Sequence, residues 1–447
     1  MSVRHRRWAA STSAAFLLFA ASCLDGGLIS GGGADGDGDG GGSSGSPDGG
    51  PVGPDDGGVM PDASIPPGSN TPSMLEDGSQ CFEGSYTPFW GDLHAHLKNH
   101  TDPVTCDYTA REMFDEGKRR GLNFLLITEH VWRLTATGLS ACKSAADLVI
   151  DDSFRPGCGF ETNVGMADGS YSGHANAFFV PSNHNTDTSD AVGEDFYGAG
   201  GKGAFYSYVG GSSGLGQINH PNSDEDGWPD RASQHADDSI KLVEVSGGCG
   251  GCADRDAAAI TSFLAFVEQG WQVGPSMNSD THCLGPGRRT GLWVVPDDHP
   301  VIGAIEGHRS FVQSYDPPAG ENNELSLRMA VETSDGVTHQ CWMGSRLARP
   351  GDGQAPLRVV LRGPLVRDGA PGSIAMKIFA RGRGVTAPLA STACGDAGGP
   401  CTCEGDRCAW DLSGGVSAAD TDWLVAYAES SVGGTVEWAL TAPVWLF

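Results

Sequence analysis

Between residues 80 and 312 short apolar runs alternate with helix-like segments, and this order restricts the folds open to the chain more than any other feature. "TPFWGDLHAH" is strand-like. "TAREMFDEGKRRG" has a helical period in which Ala110, Met113, Phe114 and Gly117 share a face, and Gly121 suits a helix end. The apolar strand "LNFLLITEH" follows directly. Further on, "DRDAAAITSFLAFVEQG" reads as a helix stopped by Gly270, with "WQVGPSMNSDTH" behind it as strand and loop. Strand, helix, strand in succession predicts parallel pairing and an α/β fold. From about 320 to 447 the helical pattern fades. "LSLRMAVETS", "LRVVLRG", "GSIAMKIFARG", "WLVAYAES" and "VEWALTAPVWLF" are β-rich runs separated by Gly, Pro and Asp, which predicts a β-sandwich-like C-terminal domain.

The N-terminal part has a different character. Residues 24 to about 78 hold few large apolar side chains, and no Lys or Arg occurs between Arg7 and Lys98. No core can form from such a stretch, so it reads as a flexible acidic tether. Ahead of it, Arg4, Arg6 and Arg7 precede the apolar segment "WAASTSAAFLLFA", too short to span a bilayer and typical of an export signal. Its end, "LFAASC", resembles a bacterial lipoprotein signal with Ala20 where Leu is more usual. That resemblance implies lipidation of Cys23 and a place in the cell envelope, with the membrane reached through the lipid alone. A plain secreted protein is the alternative.

Cysteine usage agrees with export. Of 13 cysteines, all but Cys23 lie at Cys81 or later, and an exported chain favours disulfides. Cys394, Cys401, Cys403 and Cys408 crowd into "ACGDAGGPCTCEGDRC", where a zinc knuckle competes with disulfides. "CGGC" at Cys249 to Cys252 raises the same choice between a redox pair and a disulfide loop. The net charge of -28, from 28 basic and 56 acidic residues, argues against a nucleic-acid partner.

The chemistry-bearing residues fall at the ends of the apolar runs. "FWGDLHAH" ends in His94 and His96, "FLLITEH" in Glu129 and His130, "GQINHP" in His220, and "VGPSMNSDTH" in Asp280 and His282. Glu244 lies in "KLVEVSGG", Glu161 in "CGFETN" and His174 in "YSGHANAFFV". A His-x-His pair alone is more often two ordinary polar residues. Six histidines with acids at successive run ends are hard to attribute to accident in a chain with 13 histidines. Parallel strands bring their carboxyl ends to one face, so these residues are expected to meet there.

The ordered set H-x-H, T-E-H, E, G-H-x-N, N-H-P, V-E-V and S-D-x-H resembles the PHP (polymerase and histidinol phosphatase) superfamily over residues 86 to 312. The carbaryl-hydrolase-like branch of exported metallohydrolases is the nearer likeness. The export signal and tether read above make a signal peptide over 1–23 and a disordered Gly/Asp/Pro/Ser-rich linker over 24–79. The resemblance implies an irregular (βα)7 barrel, with the metallohydrolase barrel over 80–318 followed by a β-rich domain over 319–447. It implies the metal ligands His94, His96, Asp102, His130, Glu161, His174, His220, Asp280 and His282, with His100 a rival to Asp102. Two or three divalent ions (Zn, Mn or Fe) sharing Glu161 would account for so many ligands. Asp280, together with His220, is the candidate to orient the attacking water or carry its proton. The implied substrate is a small-molecule ester: a phosphoester, carbamate or carboxyl ester.

Other residues have competing readings. Asp92, Glu129 and Glu244 could hold a ligand histidine by its other nitrogen or serve structure only. Arg288 and Arg289 could bind a substrate anion or be solvated loop residues, and Asn176 could contact a ligand loop. "NSDEDGWPD" over 222–230 is spaced like the start of a calcium loop, but Ser233 stands where the closing Glu belongs, so an acidic surface loop competes with bound Ca. Two rival functions are a non-catalytic metal-binding surface lipoprotein and a surface-binding protein acting through its β-rich tail.

Overall fold

A computed structural model describes residues 68–97, 108–165, 171–181, 196, 201–221, 239–245, 256–280, 289–295, 299–314, 325–334, 337–363, 374–384, 386–394, 399–432 and 435–447. Contacts divide the chain at residue 62, and every described element belongs to the unit formed by residues 63–447. Cys23, the expected signal peptide and the 222–230 loop lie outside the described residues, as do Asp102, His100, His282, Arg288 and the "CGGC" cysteines.

The chain enters through a short pair, β1 (Ser73–Met74) and β2 (Gln80–Cys81). β3 (Thr87–Ala95) carries the His-x-His segment. Helix α1 (Ala110–Arg119) begins at Thr109, whose side chain and Glu112 form a reciprocal capping box. Its buried face is Met113, Phe114 and Gly117, and the absence of a side chain at Gly117 lets the helix settle on Leu125. Just beyond the helix, Gly121 turns the chain with a φ of 77, in the region glycine adopts freely.

Then follow β4 (Phe124–Ile127), α2 (Ala136–Asp147), β5 (Arg155–Gly165), β6 (Tyr171–Phe178), α3 (Gly201–Gly211), β7 (Leu215–Ile218) and β8 (Ile240–Glu244). Helix α4 (Asp256–Glu268) leads to β9 (Gly274–Ser276) and β10 (Arg289–Val294), and α5 (Pro300–Glu306) to β11 (Ser310–Gln313). The rest is strand: β12 (Ser326–Ser334), β13 (Thr338–Trp342), β14 (Arg346–Leu347), β15 (Gln354–Arg362), β16 (Ile374–Ala380) and β17 (Ala390–Cys394). The last five are β18 (Cys401–Glu404), β19 (Arg407–Ser417), β20 (Trp423–Val432), β21 (Thr435–Thr441) and β22 (Val444–Leu446).

The expected α/β architecture, an irregular (βα)7 barrel, is corrected by the strand pairing. The chain is mostly β, with a 17-stranded mixed sheet and a separate 5-stranded sheet. β3, β4 and β5 are parallel, as are β7, β8 and β9. Between these runs, β6 is antiparallel to both β5 and β7. On the other side of β3 the pairing is antiparallel through β10, β11 and β21. A parallel crossover takes a dozen or more residues, and only residues 166–170 separate β5 from β6, so that pair can only run antiparallel. The apolar runs show where strands form but not their directions.

The mixed sheet continues into the C-terminal strands, with β21 pairing β20 and β20 pairing β16. Their inner faces (Ile374, Met376, Ile378, Leu424, Ala426) share one core with Leu327, Met329, Leu357 and Val359 of the 5-stranded sheet. Four disulfides are described: Cys81–Cys341, Cys142–Cys158, Cys394–Cys401 and Cys403–Cys408. The four crowded C-terminal cysteines are therefore paired with each other. Among the described residues no helix is long and apolar enough to cross a membrane.

Candidate metal centre

The two parallel runs and the β5–β6 pair converge their ends on one cluster. His94 is the penultimate residue of β3 and His96 follows the strand, so both rings point to the same side. His130, just beyond β4, is bridged to Glu161 in the middle of β5. His174 comes from β6, His220 from the end of β7 and Asp280 from beyond β9. His220 and Asp280 hold φ values of 26 and 46, a left-handed backbone that is unfavourable for residues other than glycine. Such strain at two strand ends, both aimed at one cluster, is typical of functional sites.

Glu161 lies at the centre, 1 % exposed, with five imidazoles around it. Its Oε1 is 3.3 Å from His94 Nε2, 3.2 Å from His174 Nδ1 and 3.6 Å from His220 Nε2. Its Oε2 is 3.4 Å from His96 Nε2 and 3.0 Å from His130 Nδ1. Asp280 Oδ1 completes the first side, 3.3 Å from His94 Nε2 and 3.4 Å from His96 Nε2. The nearest described donors therefore form two groups that share Glu161: His94, His96, Glu161 and Asp280, and Glu161, His174 and His220.

These separations fit a metal. Four ligands at about 2.1 Å from one ion, placed tetrahedrally, stand about 3.4 Å from each other. His94 Nε2 and His96 Nε2 approach to 3.2 Å, and the edges to Glu161 and Asp280 are 3.3–3.4 Å. Among the described residues, Glu161 Oε2 accepts no well-directed hydrogen bond although it is buried. That leaves its lone pairs to another kind of partner.

Electrostatics point the same way. Burial alone would raise the Glu161 carboxyl, but the surrounding imidazoles, His94 foremost, hold it well below the usual range. Burial opposes protonation of His94, yet Asp280, Glu161 and Glu244 raise it well above an ordinary histidine. His96 is likewise pushed up to about 8 against the effect of burial, chiefly by Asp280 and Glu129. The cluster draws positive charge to its centre, which divalent ions would supply.

Behind the rings stand carboxylates. Glu244 Oε1 is 3.5 Å from His94 Nδ1, while its Oε2 accepts from the His220 backbone N–H at 2.8 Å. Glu129 Oε1 is 3.8 Å from His96 Nδ1, and its Oε2 accepts from the Leu97 N–H at 3.1 Å. Both can orient a ring by the nitrogen opposite the cluster. Asp92 acts on backbone instead: it accepts from the His94 N–H at 2.9 Å and from Ser279, tying β3 to the segment that carries Asp280. Burial pushes its carboxyl up to about 6. Arg289 donates to the Arg120 carbonyl at 3.4 Å.

Several contributing residues are neutral amides, of which only Asn176 is a candidate from the sequence. Asn219 Nδ2 donates to Glu161 Oε1 and to Asn176 Oδ1, both at 2.9 Å. Gln217 Nε2 donates to Asn219 Oδ1 at 2.9 Å, and Asn278 bridges Gln217 and Glu244. Trp132 stacks on His130 with ring centroids 4.1 Å apart. The available signal was alternation: Gln217 and Asn219 are polar residues two apart at the end of an apolar strand, which places them on one face.

Comparison with known proteins leaves the chain without a family. No family model matches it, and no curated protein does. A solved structure with distant likeness is a mutant amidase of the nitrilase superfamily from Nesterenkonia, 12 % identical, covering 74 % of this chain and 93 % of that one at a TM-score of 0.24. A likeness of that degree carries no argument about fold or chemistry. The PHP resemblance does not stand: no family model supports it, and the mixed sheet is not that family's barrel.

Proposed function

We propose that the cluster is a polynuclear metal centre and that the protein is an exported hydrolase, cleaving an ester-type bond (phosphoester, carbamate or carboxyl ester) with metal-activated water. The observation that carries this reading is the central Glu161, buried among five imidazoles and sharing two donor groups. Divalent ions there would supply Lewis acidity and a hydroxide nucleophile near neutral pH. Glu161 offers one oxygen toward His96 and His130 and the other toward His174 and His220. His174 and Asp280 are the solvent-facing members, with side chains 23 % and 18 % exposed, so substrate would approach across them. Asp280 Oδ2 lies on that open edge, 3.9 Å from His220 Nε2, where it would accept a proton from attacking water while His220 holds its side of the site.

Metal analysis of purified protein beside His94→Ala tests the centre, and an ester panel tests the activity. Wild type should hold at least two ions per chain and hydrolyse an aryl ester or phosphodiester after stripping and reloading with Mn²⁺ or Zn²⁺. His94→Ala should lose metal and at least tenfold in rate. Unchanged metal content in that variant sinks the centre. A fully loaded protein inert on the whole panel sinks the hydrolase and leaves a metal-binding envelope protein.

A further inference from the structure

The amides beneath the cluster form a directed chain. Ser276 Oγ donates to Gln217 Oε1 at 2.8 Å, Gln217 Nε2 donates to Asn219 Oδ1, and Asn219 Nδ2 donates to Glu161 Oε1. All four residues are 0–1 % exposed. Because Gln217 Oε1 receives donors, its nitrogen must face Asn219, and this sets which end of the Asn219 amide meets Glu161. A reversed Asn219 would turn its carbonyl against a carboxylate in a dry interior. The carboxylate is thus held with Oε1 hydrogen-bonded and facing His94, His174 and His220, and Oε2 left to His96 and His130.

We propose that Asn219 is a positioning residue that locks Glu161 across the two donor groups, and that the Glu161–His174–His220 group is the weaker, exchangeable ion site. The inference rests on reading the cluster as a metal centre. Three features make that group the weaker one. It offers three described donors against four in the other group. Its His174 is the most exposed ligand, at 23 %. Both its histidines face Glu161 Oε1, which already spends a lone pair on Asn219, whereas the other group also reaches Oε2 beside His96. Removing Asn219 frees Glu161 to rotate, and the group with fewer donors has less to hold an ion in compensation.

The test is a titration of the metal-stripped full chain with Mn²⁺ or Zn²⁺ against a chelator. Wild type should show two classes of site at least tenfold apart. Asn219→Ala should weaken the lower class about 10- to 100-fold, the range typical of groups that orient ligands, and change the tighter class less than threefold. Ser276→Ala, three hydrogen bonds from Glu161 and gentler on folding, should weaken the same class by a smaller factor. A single class in wild type overturns the proposal. So does equal weakening of both classes, or no change in Asn219→Ala at native circular dichroism. Should Asn219→Ala not fold, an unaltered lower class in Ser276→Ala overturns it instead. A wild type that binds no metal refutes the centre itself, a result distinct from all of these.

Discussion

Asp280 shows how one residue can be costly to the fold and needed by the site. Its φ of 46 places a non-glycine residue in the left-handed region, beside a buried like-charged Glu161. In the metal-free protein Asp280→Gly should therefore be more stable than Asp280→Ala by about 1 kcal/mol, the cost of a side chain in that region. Denaturant unfolding of the two stripped variants reads the difference, and an Ala variant as stable as Gly would show the backbone to be relaxed. At this scale the sequence was informative. His94, His96, His130, Glu161, His174, His220 and Asp280 stand out because ionisable residues at the ends of apolar runs have few structural uses. Asn219 and Gln217 did not stand out. Neutral amides are common in strands, and their importance comes from partners such as Ser276 and Glu161, about 60 residues away in the chain.

Elements were readable where local chemistry decides them. The period of α1, its capping box and the glycine after it are all written within a dozen residues. Strand direction is decided by how the chain returns: the short gap before β6 turns it against β5, but nothing local shows that it also runs against β7. Glycine marks one such contact. A Cβ at Gly159 of β5 would lie 2.1 Å from the Ala177 carbonyl oxygen of β6, so the two backbones meet there without room for a methyl group. Gly159→Ala should cost about 1–3 kcal/mol in stability, as overpacking does. It should also weaken metal binding, because Glu161 and His174 ride on the two strands it forces apart. Calorimetry with metal analysis checks both, and a stable variant with full metal would show that the pair yields without moving the ligands.

Across residues 63–447 the disulfides join parts that local pattern could not connect. Cys81 and Cys341 are 260 residues apart, whereas Cys403 and Cys408 are separated by 5. Closing the longer loop removes more freedom from the unfolded chain, about 5 kcal/mol against about 2 on chain-entropy grounds. Replacing both Cys81 and Cys341 by Ser should lower unfolding stability more than the same change at Cys403 and Cys408. Comparable losses in denaturant unfolding would mean that the longer link acts mainly through native-state packing.

The Cys81–Cys341 bond also has a mechanical meaning. Among the described residues, β1 pairs with β2 over two residue pairs, and β2 meets β14 at a single one. A pull on the chain from its N-terminal side would peel such short pairs with little force. The load then reaches a covalent bond that passes part of it to β13, in the sheet opposite. Tension on the leading segment should therefore be shared with β13 instead of falling on β3 alone.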